Sequence, residues 1–345
     1  MAVEIINPIN DGTWDQKMLA CPGGTFFHSR SWARVLVDSY GYTPLYFTIL
    51  DGERIAGLLP VMEVDSRLTG KRGVSLPFTD YCEPIAPDHG TFQTLFDAAT
   101  AYGRERQWKY LELRGGAEHL TGNPASGTFL RHTLNLAPGE KALHAALRDS
   151  TRRNIKRGKT AEVEVVFSDS ADAIRQFYRL NGMTRKEHGL PPQPFRFFEK
   201  LHEHVIAPGL GMVALAMRYG KAVAGAVYFR FGGEAIYKYG ASDRSLQHIR
   251  ANNLVMWEAI RRFANEGCTR LCLGRTELEH EGLRQFKTGW GTDESEIVYH
   301  RYDMKKQAFA ANHFRSASSV QTKVMSRMPV PVLNALGSLL YKHMG

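Results

Sequence analysis

The same order of apolar and polar positions occurs twice along the chain. In each copy a polar turn at a glycine, within the pattern x-Gly-x-x-x-Ala-Gly, joins two apolar, β-rich runs; an amphipathic helix and a further short apolar run follow. Such runs on both sides of a glycine turn are typical of a β-hairpin. The pattern predicts a duplicated α/β module with hairpins at residues 50–61 and 218–229, helices at 92–106 and 253–266, and closing strands at 108–113 and 270–273.

Periodicity predicts the remaining elements between these copies. Helices are expected at 31–39, 171–188 and 195–204, and strands at 44–50, 128–136, 163–167 and 212–218. Ser29 or Ser31 is a suitable N-cap for the first helix. Pro191 and Pro192 end the long helix, because proline disfavours helix at itself and at the preceding residue. The order in the second half is typical of the mixed sheet of acyltransferases.

Length and composition agree with two domains. A chain of 345 residues with 43% hydrophobic and 23% charged residues can close two ordinary cores. No apolar run reaches the length of about 18 residues that a spanning helix needs. The residues after Met1 lack a basic and then apolar signal pattern, so a cytosolic protein is expected. We expect domains at 1–137 and 138–304 and a basic amphipathic tail at 305–345.

The cysteine and histidine spacings predict no metal site. Cys21, Cys82, Cys268 and Cys272 contain no C-x-x-C pair, which favours four reduced structural thiols over disulfides or a metal centre. The histidines at 202 and 204 do not fit the H-E-x-x-H pattern of zinc proteases.

The net charge of +9 is concentrated in two segments. The first lies at residues 148–159, where Arg148, Arg152 and Lys156 recur every four residues and therefore share one helix face. This face is either a solvated basic surface or a site for phosphates of a nucleotide, a lipid carrier or RNA. Aromatic residues for base stacking are missing there, which favours phosphate binding over base readout.

The second concentration follows Asp303, after which the chain has no acidic residue. Its cations are Lys305, Lys306, Arg315, Lys323, Arg327 and Lys342. A short apolar helix pattern at 330–341 ends this tail and is too short to span a bilayer. The helix either lies at an anionic membrane interface or docks on the surface of the protein itself.

Several ordered motifs in the second half resemble the FemAB family. They are Thr151-Arg152-Arg153-Asn154-Ile155, Thr184-Arg185-Lys186-Glu187-His188-Gly189, Tyr239-Gly240-Ala241-Ser242, the helix beginning Asn253-Leu254, and Phe286-Lys287-Thr288-Gly289-Trp290-Gly291. The resemblance covers about residues 140–303, and the first half matches mainly in architecture. It implies an α/β (α+β) fold of two tandem GCN5-related N-acetyltransferase (GNAT) domains, each a mixed β-sheet flanked by helices, with a degenerate first copy and an active second copy.

The resemblance also implies an activity. FemAB proteins transfer amino acids from aminoacyl-tRNA to the peptide stem of a peptidoglycan precursor. The tail with Pro329-Val330-Pro331 further resembles FemAB-like proteins of exosortase and exopolysaccharide systems. We therefore expect an aminoacyl- or acyltransferase without a bound cofactor, with aminoacyl-tRNA as donor and a phosphate-bearing cell-wall or polysaccharide precursor as acceptor. The oligomeric state is left open.

Two departures from the family patterns affect the expected donor. The chain has no room for the long helical hairpin that tRNA-binding members of the family often carry. The loop at 243–252, equivalent to the phosphate-binding loop of acetyltransferases, contains no glycine. Glycines allow backbone N–H groups to close around a pyrophosphate, so their absence disfavours coenzyme A in its usual pose.

Lys287 is the first candidate for catalysis, in an electrostatic role. Its compact ammonium beside two glycines can approach a phosphate or a developing oxyanion, and the resemblance implies a functional lysine at this motif position. The alternative is a solvated turn lysine beside a packed Trp290. Expected substrate contacts are Arg152 and Arg153 to phosphate by bidentate hydrogen bonds, with Asn154 as a helper or simply a polar residue of the helix, and Arg284 and Trp290 from the segment 282–291.

The other candidates have equally ordinary alternatives. Tyr239 and Ser242 could donate protons to the leaving group or belong to a core rim, and Asn253 could bind substrate or cap its helix. His188 could be a general base or a helix-dipole partner. Arg275 is expected just past a strand, where ligands gather in open α/β sheets. No G-x-S-x-G motif occurs, so a serine nucleophile is not indicated.

Three classes of function explain different parts of these observations. Transfer of an aminoacyl or acyl group to a cell-wall or exopolysaccharide precursor accounts for the duplication, the basic helix and the motif at 286–291 together. An acyl-CoA-dependent N-acyltransferase accounts for the fold. A non-catalytic protein that binds RNA or an anionic surface accounts for the charge alone.

Overall fold

The computed structural model describes residues 2–311 and 319–345, with side chains from 322 onward in the last segment, so Arg315 of the basic tail lies outside the described residues. The chain forms two compact units. The first unit contains residues 2–129, 296–311 and 340–345, and the second contains 130–295 and 319–339. The domain bounds expected from the sequence, 1–137, 138–304 and 305–345, stay predictions.

The first unit is a mixed sheet with its own apolar core. Its elements are β1 (Glu4–Ile6), α1 (Trp14–Ala20), α2 (Arg30–Tyr40), β2 (Thr43–Asp51), β3 (Arg54–Val64), β4 (Arg72–Val74), α3 (His89–Glu105) and β5 (Tyr110–Arg114). The core packs Phe47, Leu59 and Trp108 together with Phe92 and Leu95 of α3. Strands β2 and β3 form the first predicted hairpin. At Gly57 of β3 an added Cβ would lie 2.8 Å from Thr91 of α3, so this glycine permits close packing of the helix on the strand.

The second unit begins within the next strand and contains most of the remaining elements. They are β6 (Gly127–Asn135), α4 (Gly139–Ala146), α5 (Asp149–Thr160), β7 (Glu164–Ser168), α6 (Ala171–Glu187), α7 (Phe195–Leu201), β8 (Gly211–Arg218), β9 (Lys221–Phe231), β10 (Glu234–Ser242), α8 (Ala251–Asn265), β11 (Arg270–Glu277) and α9 (Glu281–Thr288). The chain ends with β12 (Asp293–Asp303), β13 (Ala308–Phe309), α10 (Ser319–Arg327) and α11 (Val330–Leu340).

Strand order places the two predicted copies in equivalent settings. The first unit has the order β1-β2-β3-β4-β5-β12, with β13 beside β12, and the second has β6-β11-β10-β9-β8-β7. Strands β8 and β9 form the second predicted hairpin. An added Cβ at Gly225 would lie 3.0 Å from the Ala214 carbonyl and 3.4 Å from Phe177 of α6. The repeated Ala-Gly therefore marks the strand position on which a helix packs in both units.

Most predicted elements are confirmed, and their ends shift for identifiable reasons. Helix α2 is capped by Ser29, whose side chain accepts a hydrogen bond from Trp32 N at 3.1 Å. Helix α3 begins earlier than predicted because Asp88 caps it through Thr91 N. The helix predicted at 195–204 ends at Leu201 and continues as one π-helical turn. Helix α9 and strand β12 were not predicted.

Helices α10 and α11 follow the second unit's strands in sequence, and α10 packs on α6. Leu333 of α11 is completely buried. In the part of the chain that the structure describes, no helix is both long enough and apolar enough to cross a membrane.

Candidate active site

Strands β10 and β11 of the second unit separate after a short stretch of pairing. They run parallel and pair only from Glu234–Ile236 to Arg270–Cys272, although β10 continues to Ser242 and β11 to Glu277. A register shift between Tyr237 and Tyr239 adds a bulge to β10 at the same level. Bulges are frequent beside active sites, and ligands of open α/β sheets bind at the carboxyl ends of strands. The separation creates such an opening.

A cavity of about 550 Å³ lies at this end of β10. Its walls are the last turn of α6, the end of β10, the 3₁₀ turn that follows, the start of α8, and α9. The polar side chains on it include Thr184, Glu187, His188, Ser242, Asn252 and His280. The volume suits a small ligand or one end of a larger one.

Ser242 is fixed by three hydrogen bonds from two helices. The Thr184 hydroxyl accepts from Ser242 N at 3.0 Å and donates to Ser242 O at 3.2 Å. Asn252 Nδ2 donates to Ser242 Oγ at 3.0 Å. These bonds hold α6 and the start of α8 on the end of β10, and they leave the Ser242 hydroxyl proton without an acceptor among the described side chains.

His188 lies at the C-terminus of α6 and lines the cavity, where two neighbouring groups have shifted pKa values. Partial burial lowers the pKa of His188, and the nearby charges of Arg185, His280 and Arg244 lower it further. The imidazole is therefore neutral at neutral pH and can accept a proton. Burial raises the pKa of the adjacent Glu187, against the opposing effect of Arg244.

Tyr237, rather than Tyr239, lines the cavity. Burial raises the pKa of Tyr237 to about 12, so its hydroxyl keeps its proton at neutral pH. A Cβ at residue 240 would collide with that hydroxyl, and Gly240 leaves room for it. Tyr239 instead packs against Phe197 and Phe198 of α7, with ring centroids 6.2 and 5.6 Å away.

Lys287 lies outside the cavity and is buried. Its ammonium donates to the carbonyl oxygens of Gly274 at 3.0 Å and Arg275 at 2.9 Å, and the residue is 2% exposed. Both carbonyls belong to the part of β11 that has separated from β10. The alternative of a solvated turn lysine was wrong, because residue 287 is helical and its charge is bound within the protein.

A buried histidine lies near Lys287. His132 of β6 is completely buried, and its Nδ1 lies 3.6 Å from Glu294 Oε1, beyond hydrogen-bond distance. Neither ring nitrogen has a hydrogen-bond partner among the described residues. The pKa of His132 is lowered to about 4, mainly by burial and also by the positive charges of Lys287 and Arg284, and Glu294 opposes this shift.

The basic helix α5 meets the motif at 286–291. Arg148 donates from its backbone N to Gly289 O at 3.1 Å and from its guanidinium to Thr288 Oγ1 at 3.2 Å. A Cβ at Gly289 would lie 2.6 Å from Thr151 Oγ1, so the two segments touch where position 289 has no side chain.

The remaining sequence candidates occupy varied settings. Arg152 pairs with Asp149 and donates to Ala145 O, Arg153 is exposed, and Asn154 is half-buried. Arg284 forms a bidentate pair with Glu294, both contacts 2.8 Å.

At three further positions, the structure shows a setting that differs from the one expected from the sequence or decides between the alternatives. Arg275 lies within β11 rather than just past it, because the strand continues to Glu277. Asn253 is the third residue of α8, so its expected capping role was wrong; Arg250 precedes the helix in a left-handed conformation. Trp290 is 1% exposed and belongs to the second unit's apolar core.

Comparison with known proteins agrees with this architecture. Residues 145–288, which include every cavity-lining residue, match the family model described as acetyltransferase (GNAT) domain. The crystal structure of FemX superposes with a TM-score of 0.70 at 12% identity, covering 86% of this chain and 97% of FemX. The fold is that of tandem GNAT domains. The sequence-based expectation of fold class is thus confirmed.

Two further structures have a similar fold. L-PGS from Bacillus licheniformis has a TM-score of 0.55 at 13% identity, covering 92% of this chain and 98% of L-PGS. A tandem GNAT protein from the clavulanic acid biosynthesis pathway has a TM-score of 0.54 at 12% identity, covering 88% and 99%. None of the curated proteins matches this chain. The family match supports an acyltransferase, and the structural likenesses show the fold.

Of the sequence candidates, the structure brings His188 and Ser242 together at the cavity. Sequence reasoning missed Tyr237, Glu187, Asn252 and His280. Glu187 lies in a motif already singled out, and Asn252 ends the loop that was compared with acetyltransferases. His280 had no such signal, because it precedes α9, a helix that was not predicted; its Nδ1 accepts from Leu283 N at 3.2 Å.

Replacing Gly289 with alanine should lower the free energy of unfolding by about 1–3 kcal/mol, because the new Cβ overlaps the buried Thr151 hydroxyl. Adding Thr151→Ala should recover part of this loss, since it removes the overlapping oxygen. Urea denaturation of the two single variants and the double variant measures the coupling. Strictly additive effects would contradict the contact.

Protein stability should fall between pH 6.5 and pH 4 partly because of His132. Its folded-state pKa of about 4 lies below the unfolded value near 6.5, so the unfolded chain binds a proton first. The contribution of neutral His132 to the free energy of unfolding is complete above pH 6.5. About 1–3 kcal/mol of it is lost as the pH falls toward 4. Urea denaturation of native protein and His132→Asn across this range should give a shallower pH dependence for the variant; identical slopes would contradict the assignment.

Proposed function

We propose that this protein is an acyltransferase that moves an activated acyl group, an aminoacyl group in the first instance, onto an amine of a cell-wall (peptidoglycan) or exopolysaccharide precursor. The observation that carries the proposal is the cavity at the carboxyl end of β10, which is lined by a neutral imidazole and two protonated hydroxyls, those of His188, Tyr237 and Ser242. This cavity lies within the segment that matches the acetyltransferase family.

The reaction requires two groups from the protein, a proton acceptor for the attacking amine and a proton or hydrogen-bond donor for the leaving group. The acceptor amine attacks the acyl carbon, a C–N bond forms, and the bond from that carbon to the leaving group breaks. The nitrogen must lose a proton, which the neutral His188 can accept. The leaving group must gain a proton or hydrogen bonds, which Tyr237 and Ser242 can supply.

Lys287 has a positioning role in this proposal. The resemblance implies an electrostatic role for this lysine. Its hydrogen bonds to Gly274 O and Arg275 O support an indirect role instead, in which the lysine holds α9 in position. That helix contributes Leu283 and Phe286 to the cavity wall. By binding the freed carbonyls of β11, the ammonium fixes the helix that shapes the cavity.

The loop before α8 supports a donor other than coenzyme A. Three of its backbone N–H groups already donate within the turn: Ser245 N to Asp243 Oδ1, Leu246 N to Asp243 O, and Arg250 N to Gln247 O. A pyrophosphate cradle needs such groups free to face the ligand. Aminoacyl-tRNA is therefore the proposed donor, and acyl-CoA is the alternative.

Helix α5 supports an acceptor or donor that carries phosphate. Arg153, Lys156 and Arg157 are exposed on it, and none of them forms an ion pair with a described residue. Such cations attract phosphates, and an arginine can bind one bidentately. The amino end of α5 is held on the motif at 286–291 by Arg148.

The deciding experiment follows transfer of a labelled amino acid from charged tRNA to a UDP-linked muropeptide, with labelled acetyl-coenzyme A as the parallel donor. Native protein should use the charged tRNA. Transfer by the acetyl donor alone would establish the acyl-CoA alternative, and no transfer from either donor would contradict the proposal.

His188→Gln should reduce the transfer rate about 100-fold or more, because the amine loses its proton acceptor. The native rate should rise with pH through the lowered pKa of His188, below 6.5, as the imidazole becomes neutral. His89→Gln, an exposed histidine in the first unit, is the matched control and should leave the rate unchanged. A pH profile that is the same in His188→Gln would rule out His188 as the base.

Tyr237→Phe should slow transfer about 10- to 100-fold, since the variant loses a proton donor in the cavity. Tyr239→Phe is its matched control, because that ring packs on α7. Single-turnover rates of both variants distinguish the two tyrosines. A larger loss in Tyr239→Phe would favour the residue expected from the sequence.

A further inference from the structure

Helix α11 presents apolar side chains both on a buried inner face and on an exposed outer side. The inner face is docked on the second unit: Leu333 is fully buried, and a Cβ at Gly337 would collide with the Pro192 carbonyl. Gly182 of α6 lies against Val330, where an added Cβ would be 3.1 Å from the valine. The helix is thus already held in place before any partner binds.

The outer face of α11 is also apolar. Val332, Ala335, Leu336 and Leu339 recur at the spacing of one helix stripe, i, i+3, i+4 and i+7. Val332 is 46% exposed and Leu339 is 64% exposed. The preceding helix α10 adds Val324, which is 52% exposed. Exposed apolar side chains that form a stripe mark an interaction surface more often than single ones do.

The charged side chains of α10 and α11 that the structure describes are all positive. Lys323 and Arg327 of α10 are exposed, and neither forms an ion pair with a described residue. From Met304 to the end, the sequence contains no aspartate or glutamate. Two consecutive helices that carry exposed, unpaired cations and exposed apolar side chains, and no carboxylate of their own, complement a bilayer with anionic headgroups.

We propose that α10 and α11 form a docking surface for an anionic lipid bilayer. Val332, Leu336 and Leu339 enter the boundary between headgroups and acyl chains, and Lys323 and Arg327 contact anionic headgroups. The inner face remains on Pro192 throughout, so the helix lies parallel to the membrane surface and does not cross it. None of the lipid-facing residues of α10 and α11 lines the cavity, and the inference does not depend on the transferase activity.

Cosedimentation of the full chain with lipid vesicles tests this inference. Vesicles of phosphatidylcholine with about 30% phosphatidylglycerol should bind the protein, and vesicles of phosphatidylcholine alone should bind it at least about tenfold more weakly. Raising the salt concentration should weaken binding, because screening reduces the attraction of the cations. Equal binding to both vesicle types, or no binding to either, would overturn the proposal.

Two pairs of substitutions separate the apolar and the charged contributions. Val332→Ser with Leu339→Ser should weaken vesicle binding about tenfold or more, because both side chains lose their apolar insertion. Lys323→Gln with Arg327→Gln should weaken it by a similar or larger factor on anionic vesicles and should reduce the salt dependence.

Matched controls come from exposed positions elsewhere. Leu68→Ser replaces a leucine that is 70% exposed in the first unit, and Lys141→Gln with Lys221→Gln removes two exposed lysines. Neither control should change vesicle binding by more than about twofold, since scattered surface substitutions are usually neutral. If the controls weaken binding as much as the α10–α11 variants do, the docking surface is elsewhere and the proposal is wrong.

Sedimentation velocity without lipid tests the competing occupant, a second copy of the chain. We expect native protein and the double variant Val332→Ser with Leu339→Ser to show the same distribution of monomer and dimer. A dimer that this double variant dissociates would assign the stripe to self-association and overturn the bilayer proposal. Unaltered urea denaturation of the variant confirms that its inner face remains folded.

Discussion

Backbone pairing between two parallel strands ends early in the second unit, and the candidate active site follows from that ending. Strands β10 and β11 share only the pairs from Glu234–Ile236 to Arg270–Cys272. Beyond them, β10 stays paired with β9 on its other side, but the backbone groups that face the gap between β10 and β11 lose their strand partner, and buried polar groups of this kind need other partners. The opening is stable because side chains from helices supply those partners.

Two side chains illustrate how the opening is maintained. Thr184 binds both backbone groups of Ser242 at the end of β10, and Lys287 binds two carbonyls on the separated part of β11. Thr184 binds through a neutral hydroxyl at the rim of the cavity, and Lys287 binds through a buried positive charge. A buried ammonium is strongly destabilised unless it is well bonded, so the position of α9 relative to β11 is closely specified.

Local signals allowed much of the fold to be predicted. The turns at Gly52 and Gly220, both with positive φ, and the cap at Ser29 depend on residues that are near one another in sequence. Helix α9 was missed because its stability depends on contacts such as that of Lys287 with Gly274, 13 residues away. The setting of His132 depends on residues more than 150 positions later, such as Lys287 and Glu294, which no local pattern records. Tyr237 and Tyr239 differ in role because of a bulge that appears only in the paired sheet.

Just after the C-terminus of α6, the backbone of α10 packs against a residue that is adjacent in sequence to the cavity wall. Gly189 has a positive φ, and a Cβ there would collide with the backbone of Thr322 in α10. His188, the preceding residue, lines the cavity. The main chain at Gly189 therefore packs directly on both the backbone and the side chain of Thr322. Position 189 has no room for a side chain, so the backbone next to the imidazole-bearing residue forms the contact surface for α10.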